Sequence, residues 1–315
     1  QLMAASIIIM FLDELIQKGW GLGSGISLFI MAGVAQQILW SMFSPLPAGD
    51  GGMIGIIPYL IESLTGSGDL GNVFFRSNQL PSIFGLFLTA GILLILVFTQ
   101  GMKIEIPIVS TKYRGFQAVY PIKLMYVSNI PVILASALTA NAVFVFQMIW
   151  SQFNPRNNNF FVNFIAQFDP TSPSTPVGGI IYYITPPRGL DVAALDPMRA
   201  VGYVLFMIGI VIVFGRLWVE LGGLSPKSAA QNLLDADVQI PGFRRSNKPV
   251  EALLNKYIPS VTIIGSAILG LLAGVSDVLG VFGSGIGILL MVDILINYYT
   301  QLVSCLLYTS DAADE

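Results

Sequence analysis

The chain has 315 residues, 54% of them hydrophobic and 10% charged, with a net charge of −3 and a mean hydropathy of +0.75. Soluble domains carry about 25% charged residues, so this much apolar surface cannot be hidden in one soluble core, and lipid must cover part of it. The sequence contains no histidine and one cysteine, Cys305; this removes the commonest general base and metal ligand and leaves neither a disulfide framework nor a thiolate site.

The chain opens on Gln1 inside an apolar run, without a signal peptide, and is read as a fragment whose start is missing. Apolar runs separated by Gly, Pro and charge give seven candidate spans, at 1–16, 25–43, 81–100, 127–150, 198–221, 257–275 and 282–303. Most have about the 17–25 residues that a bilayer crossing needs. Between the first two, Gly19-Trp-Gly-Leu-Gly-Ser-Gly25 is rich in glycine. It has neither the Gly-x-Gly-x-x-Gly spacing nor a following Gly-Lys-Ser/Thr, so close helix approach explains it better than a nucleotide site.

Two connecting segments are long. Residues 44–80 are rich in Gly, Pro and Ser and carry Asp50, Glu62 and Asp69; residues 151–197 carry Asn154-Pro-Arg-Asn-Asn-Asn159 and a proline-rich run at 170–187. They read as irregular surface loops with a short interfacial helix and no chemistry.

The basic residues sort by side. Lys18, Lys103, Lys112, Arg114, Lys123, Arg216, Lys227, Arg244, Arg245, Lys248 and Lys256 fall on one side, and Arg76, Arg156, Arg188 and Arg199 on the other, which accounts for all 15. The positive-inside bias makes the first side cytosolic. The second and last spans then run in opposite directions, and the chain ends in the cytosol. Both of those spans begin on Gly-Ser-Gly-Ile, at Gly23–Ile26 and Gly283–Ile286. Similar sequence on oppositely directed helices marks an inverted repeat.

Ile26 and Ile30 are four apart and share a helical face. Branched aliphatic side chains suit a narrow neck that sheds water, although they also serve plain packing. Asn141, shortly after Thr139 in a membrane span, should face the protein interior or a helix seam, because an unpaired amide in hydrocarbon is costly. The loops 101–125 and 222–256 concentrate basic residues. Lys112-Tyr-Arg114 and Gly242-Phe-Arg-Arg245 suit contact with RNA phosphates, and positive-inside bias alone is the plainer account.

The segment Tyr120-Pro-Ile-Lys-Leu-Met-Tyr-Val-Ser-Asn-Ile-Pro-Val-Ile-Leu-Ala-Ser-Ala-Leu-Thr-Ala-Asn141 leads from a lysine-bearing loop into a span with two prolines and several polar groups. It resembles, nearly residue for residue, the seventh helix of the SecY channel in its archaeal and eukaryotic form. The resemblance implies an all-α polytopic membrane protein holding seven of the ten transmembrane helices of an inverted-repeat SecY bundle. Residues 1–80 would be the remainder of the N-terminal half (the end of helix four, helix five and an outer loop), and 81–302 the C-terminal half. From Val303 the chain departs from the family, and 303–315 reads as a non-native tail of translated adapter sequence.

The implied function is conduction of unfolded polypeptide, with sideways release of signal and transmembrane segments into lipid, and no catalysis, cofactor or metal. The resemblance carries a pore ring onto Ile26, Ile30, Ile133 and Leu290, a lateral gate onto Asn141 and Thr139, and ribosome docking onto Lys112, Arg114, Arg244 and Arg245. It implies SecE-type and Sec-beta-type small subunits, the ribosome, nascent polypeptides and membrane lipid as partners, and the cell membrane of an archaeon as location. The rival reading is a secondary transporter of a small solute, which also uses inverted repeats. It should carry ionisable residues at mid-membrane, yet of Asp13, Glu14, Glu220 and Asp293 only the last lies away from a span end. An intramembrane enzyme lacks His, a paired-aspartate motif and a Gly-x-Ser-x-Gly elbow.

Overall fold

The computed structural model describes residues 2–20, 24–48, 52–65, 73–74, 76, 80–110, 117–127, 129–170, 175–187, 189–235, 238–239 and 247–311. In chain order the elements are α1 (Leu2–Trp20), α2 (Gly25–Phe43), α3 (Ile56–Leu64), α4 (Ile83–Gly101), β1 (Lys103–Ser110), β2 (Gln117–Lys123) and α5 (Ile130–Phe153). There follow α6 (Phe160–Ile165), β3 (Gln167–Phe168), β4 (Pro176–Gly178), α7 (Ile180–Ile184), α8 (Leu190–Leu195) and α9 (Pro197–Leu221). The chain closes with α10 (Pro226–Asp235), β5 (Val238–Gln239), α11 (Asn247–Leu279) and α12 (Gly285–Asp311).

Six helices among the described residues, α2, α4, α5, α9, α11 and α12, are long and apolar enough to cross a membrane. They match six of the seven expected spans. The remaining one, at 1–16, is the helix α1, whose C-terminal half carries Asp13, Glu14 and Lys18. At 33 residues α11 outruns its expected span. That is about 50 Å of helix against a hydrocarbon layer of about 30 Å.

The chain forms two compact units, residues 1–96 with 280–315, and residues 97–279. In the first, α2 packs on α1 and α12. A Cβ placed on Gly287 would lie 3.3 Å from Val34 Cγ2, one on Gly283 would lie 3.0 Å from Ile38 Cγ1, and the Tyr298 hydroxyl donates to the Ser24 carbonyl at 2.6 Å. The start of α12 therefore meets the end of α2, and the helices are antiparallel, as the charge pattern requires. Arg76 closes the connection after α2: it donates to the carbonyls of Met53 (2.9 Å) and Ile54 (3.2 Å), and its guanidinium lies 3.9 Å over the Tyr59 ring.

In the second unit α9 and α11 are antiparallel and meet through small residues. Added Cβ atoms would stand 2.1 Å from Ser266 Oγ at Gly215, 2.8 Å from Ile208 Cα at Gly270, and 3.2 Å from Val204 Cα at Gly274. Small side chains allow this approach, and dispersion contacts reward it.

Residues 101–125 are more than a loop. β1 and β2 form an antiparallel hairpin with Ile104 opposite Ile122 and Ile106 opposite Tyr120, and β5 joins the outer side of β1. Ile106 and Ile122 pack with Val219 at the end of α9, Ala229, Ala230 and Leu233 of α10, and Val250, Leu254 and Ile258 of α11. This core explains the length of α11, whose first turns belong to a small sheet-and-helix layer beyond the apolar stretch. The expected single short interfacial helix proves to be four among the described residues: α3, α6, α7 and α8.

Candidate functional site

The N-terminus of α2 has four backbone N–H groups without partners inside the helix, and α1 supplies one acceptor. Asp13 Oδ1 accepts from the Ile26 N–H at 3.0 Å and from Ser24 Oγ at 3.1 Å, while Gln17 Nε2 donates to Oδ2 at 2.7 Å. A carboxylate at this position also faces the positive end of the helix dipole. With Tyr298 of α12 held on the Ser24 carbonyl, both neighbours clasp the first turn of α2.

The opening of α12 repeats the motif with a different cap. Ser284, at φ 63°, accepts on Oγ from the Gly287 N–H at 3.1 Å, and Thr89 Oγ1 of α4 accepts from the Phe282 N–H at 3.1 Å. Gly283 takes φ +83°, where a side chain is strained.

From these caps the expected ring residues can be placed. Ile26 and Ile30 are 44% and 40% exposed on one face of α2. Gly287 lies against Val34 and Tyr298 against Ser24, so Leu290 falls level with Ile30 and Met31 along the antiparallel pair. Leu290 is partly buried, beside the buried Ile288 and Leu289. The structure thus brings three of the four proposed ring members onto one helix pair. Ile133 is on α5, in the other unit, and is 38% exposed.

On α5 the hydroxyl of Thr139 donates back to the Ala135 carbonyl at 2.8 Å and that of Ser136 to the Ile133 carbonyl at 2.8 Å. Such back-bonds satisfy hydroxyls in apolar surroundings and bend helices slightly. Asn141 is exposed. The described residues of this chain leave that face of α5 uncovered.

Lys112, Arg114, Arg244 and Arg245 lie outside the described residues. Their anchors are described: β1 pairs with β5 at Val109–Gln239 and Ser110–Val238, so the strands leading into the two basic segments are neighbours at one end of one sheet. The Tyr126 hydroxyl donates to the Leu224 carbonyl at 3.0 Å, and burial, helped by the nearby Tyr120, pushes its phenol up to about 12.

The asparagine run 154–159 also has a defined role. Asn157 Oδ1 accepts from Trp150 Nε1 at 2.7 Å, and Asn154 Nδ2 donates to Asn163 Oδ1 at 2.7 Å. The buried Arg199 stacks 4.1 Å from the Tyr182 ring and donates to the Tyr182 carbonyl at 3.1 Å. Neither arrangement was read from sequence. Clustered asparagines beside a tryptophan were the available sign of the first, while the second joins residues 17 apart through a turn that no spacing rule reveals.

The profile of the SecY family matches residues 1–299. The protein translocase subunit SecY of Pyrococcus horikoshii is 40% identical over 312 residues, covering 96% of this chain and 64% of its own length. That of Pyrococcus furiosus is 39% identical over the same shares. Of solved structures, a protein-conducting channel superposes with a TM-score of 0.74 at 35% identity, covering 95% of this chain and 62% of its own. Sec61 in the canine ribosome-channel complex from the endoplasmic reticulum gives 0.70 at 33%, covering 95% and 62%. The chain thus spans 64% of the length of these curated relatives.

Proposed function

The chain belongs to the SecY family, and we infer that it forms the greater part of the central subunit of a channel that passes unfolded polypeptides across a membrane and releases signal and transmembrane segments sideways into lipid. No bond is made or broken in that process. The observation that carries the reading is the aliphatic set on the α2–α12 pair: Ile26 and Ile30 uncovered on one face, with Leu290 level with Ile30. With Ile133 these residues would form the constriction. Branched apolar side chains offer nothing for a passing chain to hydrogen-bond, and a narrow apolar neck stays dry when idle.

The rest of the reading follows the family. Residues 1–80 would complete the N-terminal half, 81–302 form the C-terminal half, and 303–315 stand outside both. Thr139 and Asn141 would line the lateral gate, where a hydrophobic signal helix displaces modest polar contacts and shifts the closed seam toward open. Lys112, Arg114, Arg244 and Arg245 would dock the ribosome through phosphate contacts; the pairing of β1 with β5 at Ser110–Val238 supports that reading. The small partners would be of the SecE and Sec-beta types. The protein is a multi-span membrane protein; its place would be the cell membrane of an archaeon, with the C-terminus cytosolic. The family favours the channel over a small-solute transporter.

The test uses a full-length channel in planar bilayers. Changing Ile30, Ile133 and Leu290 together to Gly should widen and wet the neck and raise ion conductance with no polypeptide present. Resting conductance equal to that of the unaltered channel would remove these residues from the constriction.

A further inference from the structure

The turn after α5 holds a short helix inside out. In α6 the amide faces inward: Asn163 donates to the Asn157 carbonyl at 2.7 Å and accepts from Asn154 Nδ2 at 2.7 Å. Asn154, 2% exposed, accepts in turn from the Asn159 N–H at 3.0 Å, and Asn157 Nδ2 donates to the Phe168 carbonyl at 3.2 Å. Val162 packs on the same side, with Trp150 and Phe168. The phenyl rings face outward, with Phe160 77%, Phe161 84% and Phe164 65% exposed.

Water would drive the opposite arrangement, since burying apolar rings is favourable and burying amides is not. An amide core under a phenyl face suits a surface in contact with lipid, since Phe, Trp and Leu make up the buried face of helices that lie in the membrane interface. Two further features point to that occupant. Val145, Ile149 and Phe153, four residues apart, form an exposed apolar stripe that reaches the end of α5, and α6 with its three rings begins seven residues later. Within residues 154–168 the sole charged side chain is the exposed Arg156, of the sign that lipid phosphates attract.

We propose that Phe160, Phe161 and Phe164 form a foot seated in the membrane interface at the end of α5, with Arg156 at the level of the lipid phosphates. The asparagine clasp ties the foot to Trp150, so a tilt of α5 carries it through the interface. The proposal rests on α5 crossing the bilayer and goes beyond the channel reading.

The experiment uses the full-length channel with Cys305→Ser, reconstituted in phosphatidylcholine vesicles. Single cysteines introduced by Phe161→Cys, Phe164→Cys and Val162→Cys carry a bimane fluorophore. Exchanging ordinary for bromine-bearing acyl chains should remove most of the emission at 161 and 164 and leave that at 162 nearly intact. Phe144→Cys on the span is the reference, and its quenching reports that α5 crosses the bilayer whatever the foot does. If 144 is quenched while 161 and 164 respond to aqueous iodide, the foot stands in water. If they respond to neither quencher, protein covers it. Either result overturns the proposal.

Discussion

The two antiparallel helix pairs, α9–α11 in one unit and α2–α12 in the other, solve the same packing problem differently. The α9–α11 pair is joined backbone to backbone: Gly270 admits Ile208 Cα, Gly274 admits Val204 Cα, and Gly215 admits Ser266. The α2–α12 pair meets through the ends of side chains, Val34 and Ile38 on Gly287 and Gly283, and is pinned by the Tyr298 hydroxyl on the Ser24 carbonyl at the first turn of α2. Burial follows: 56% of the most apolar stretch of α11 is buried, and 0% of that of α2. A backbone seam has one arrangement, because interiors do not deform continuously. A pair held by side-chain tips and one polar clasp can shift by rotamer changes. The α9–α11 seam is built as a fixed wall, whereas α2 is held at its first turn and by side-chain tips.

The largest test of this contrast sets Gly270→Ala against Gly33→Ala. A Cβ at Gly270 would lie 2.8 Å from Ile208 Cα and 3.0 Å from the Met207 carbonyl, so the seam must open. Overpacking of this kind costs about 1–3 kcal/mol. At Gly33, on α2, nothing lies within 4 Å, and alanine should be neutral or stabilising by up to about 1 kcal/mol, since Gly is a poor helix former. Thermal unfolding of the purified full-length channel compares them. Equal effects would dissolve the distinction between the pairs.

A smaller effect is expected at the clasp. Asp13→Ala should strip the cap from α2 and loosen its first turn, while Asp13→Asn, which keeps an acceptor, should restore most of the loss. Hydrogen exchange at the Ile26 amide should quicken in the alanine variant, with the α9–α11 amides unchanged. Acceleration spread over both pairs would mean that α2 has no local freedom.

The sequence made the spans readable because a bilayer demands long apolar runs, and residues 25–43 coincide with α2 to the residue. It hid the hairpin. Ile104, Ile106, Tyr120 and Ile122 alternate as strands do, but Pro107 and Pro121 argue against a sheet, and only the structure places each of them on an exposed strand position, opposite Val119 and Glu105. The direction of the two Gly-Ser-Gly-Ile helices was legible from charge alone. The capping of one by Asp13 and of the other by its own Ser284 was not, because a carboxylate eleven residues before Ser24 has no spacing rule that aims it there. The ring was legible only through resemblance, since an isoleucine in a pore and one in a core look alike in sequence.

The smallest expected effect lies where the fixed wall meets the sheet layer, and pH reads it. The Tyr126 hydroxyl donates to the Leu224 carbonyl just past α9, and its phenol is held near 12 rather than 10. Burial is the main cause, because it disfavours the phenolate. Below about 10 both folded and unfolded chains keep this proton, and the buried hydrogen bond contributes in full. Between about 10 and 12 the unfolded chain releases the proton while the folded chain retains it, so stability falls as pH rises through that window. Tyr126→Phe should therefore cost about 1 kcal/mol near neutral pH, and the deficit should shrink above pH about 10 and close before pH 12 is reached. Denaturant unfolding followed by tryptophan fluorescence, with Trp218 packed against the same core, measures both proteins across the range. A deficit constant through the alkaline window would mean that Tyr126 meets water in the folded state, and that the wall ends before it.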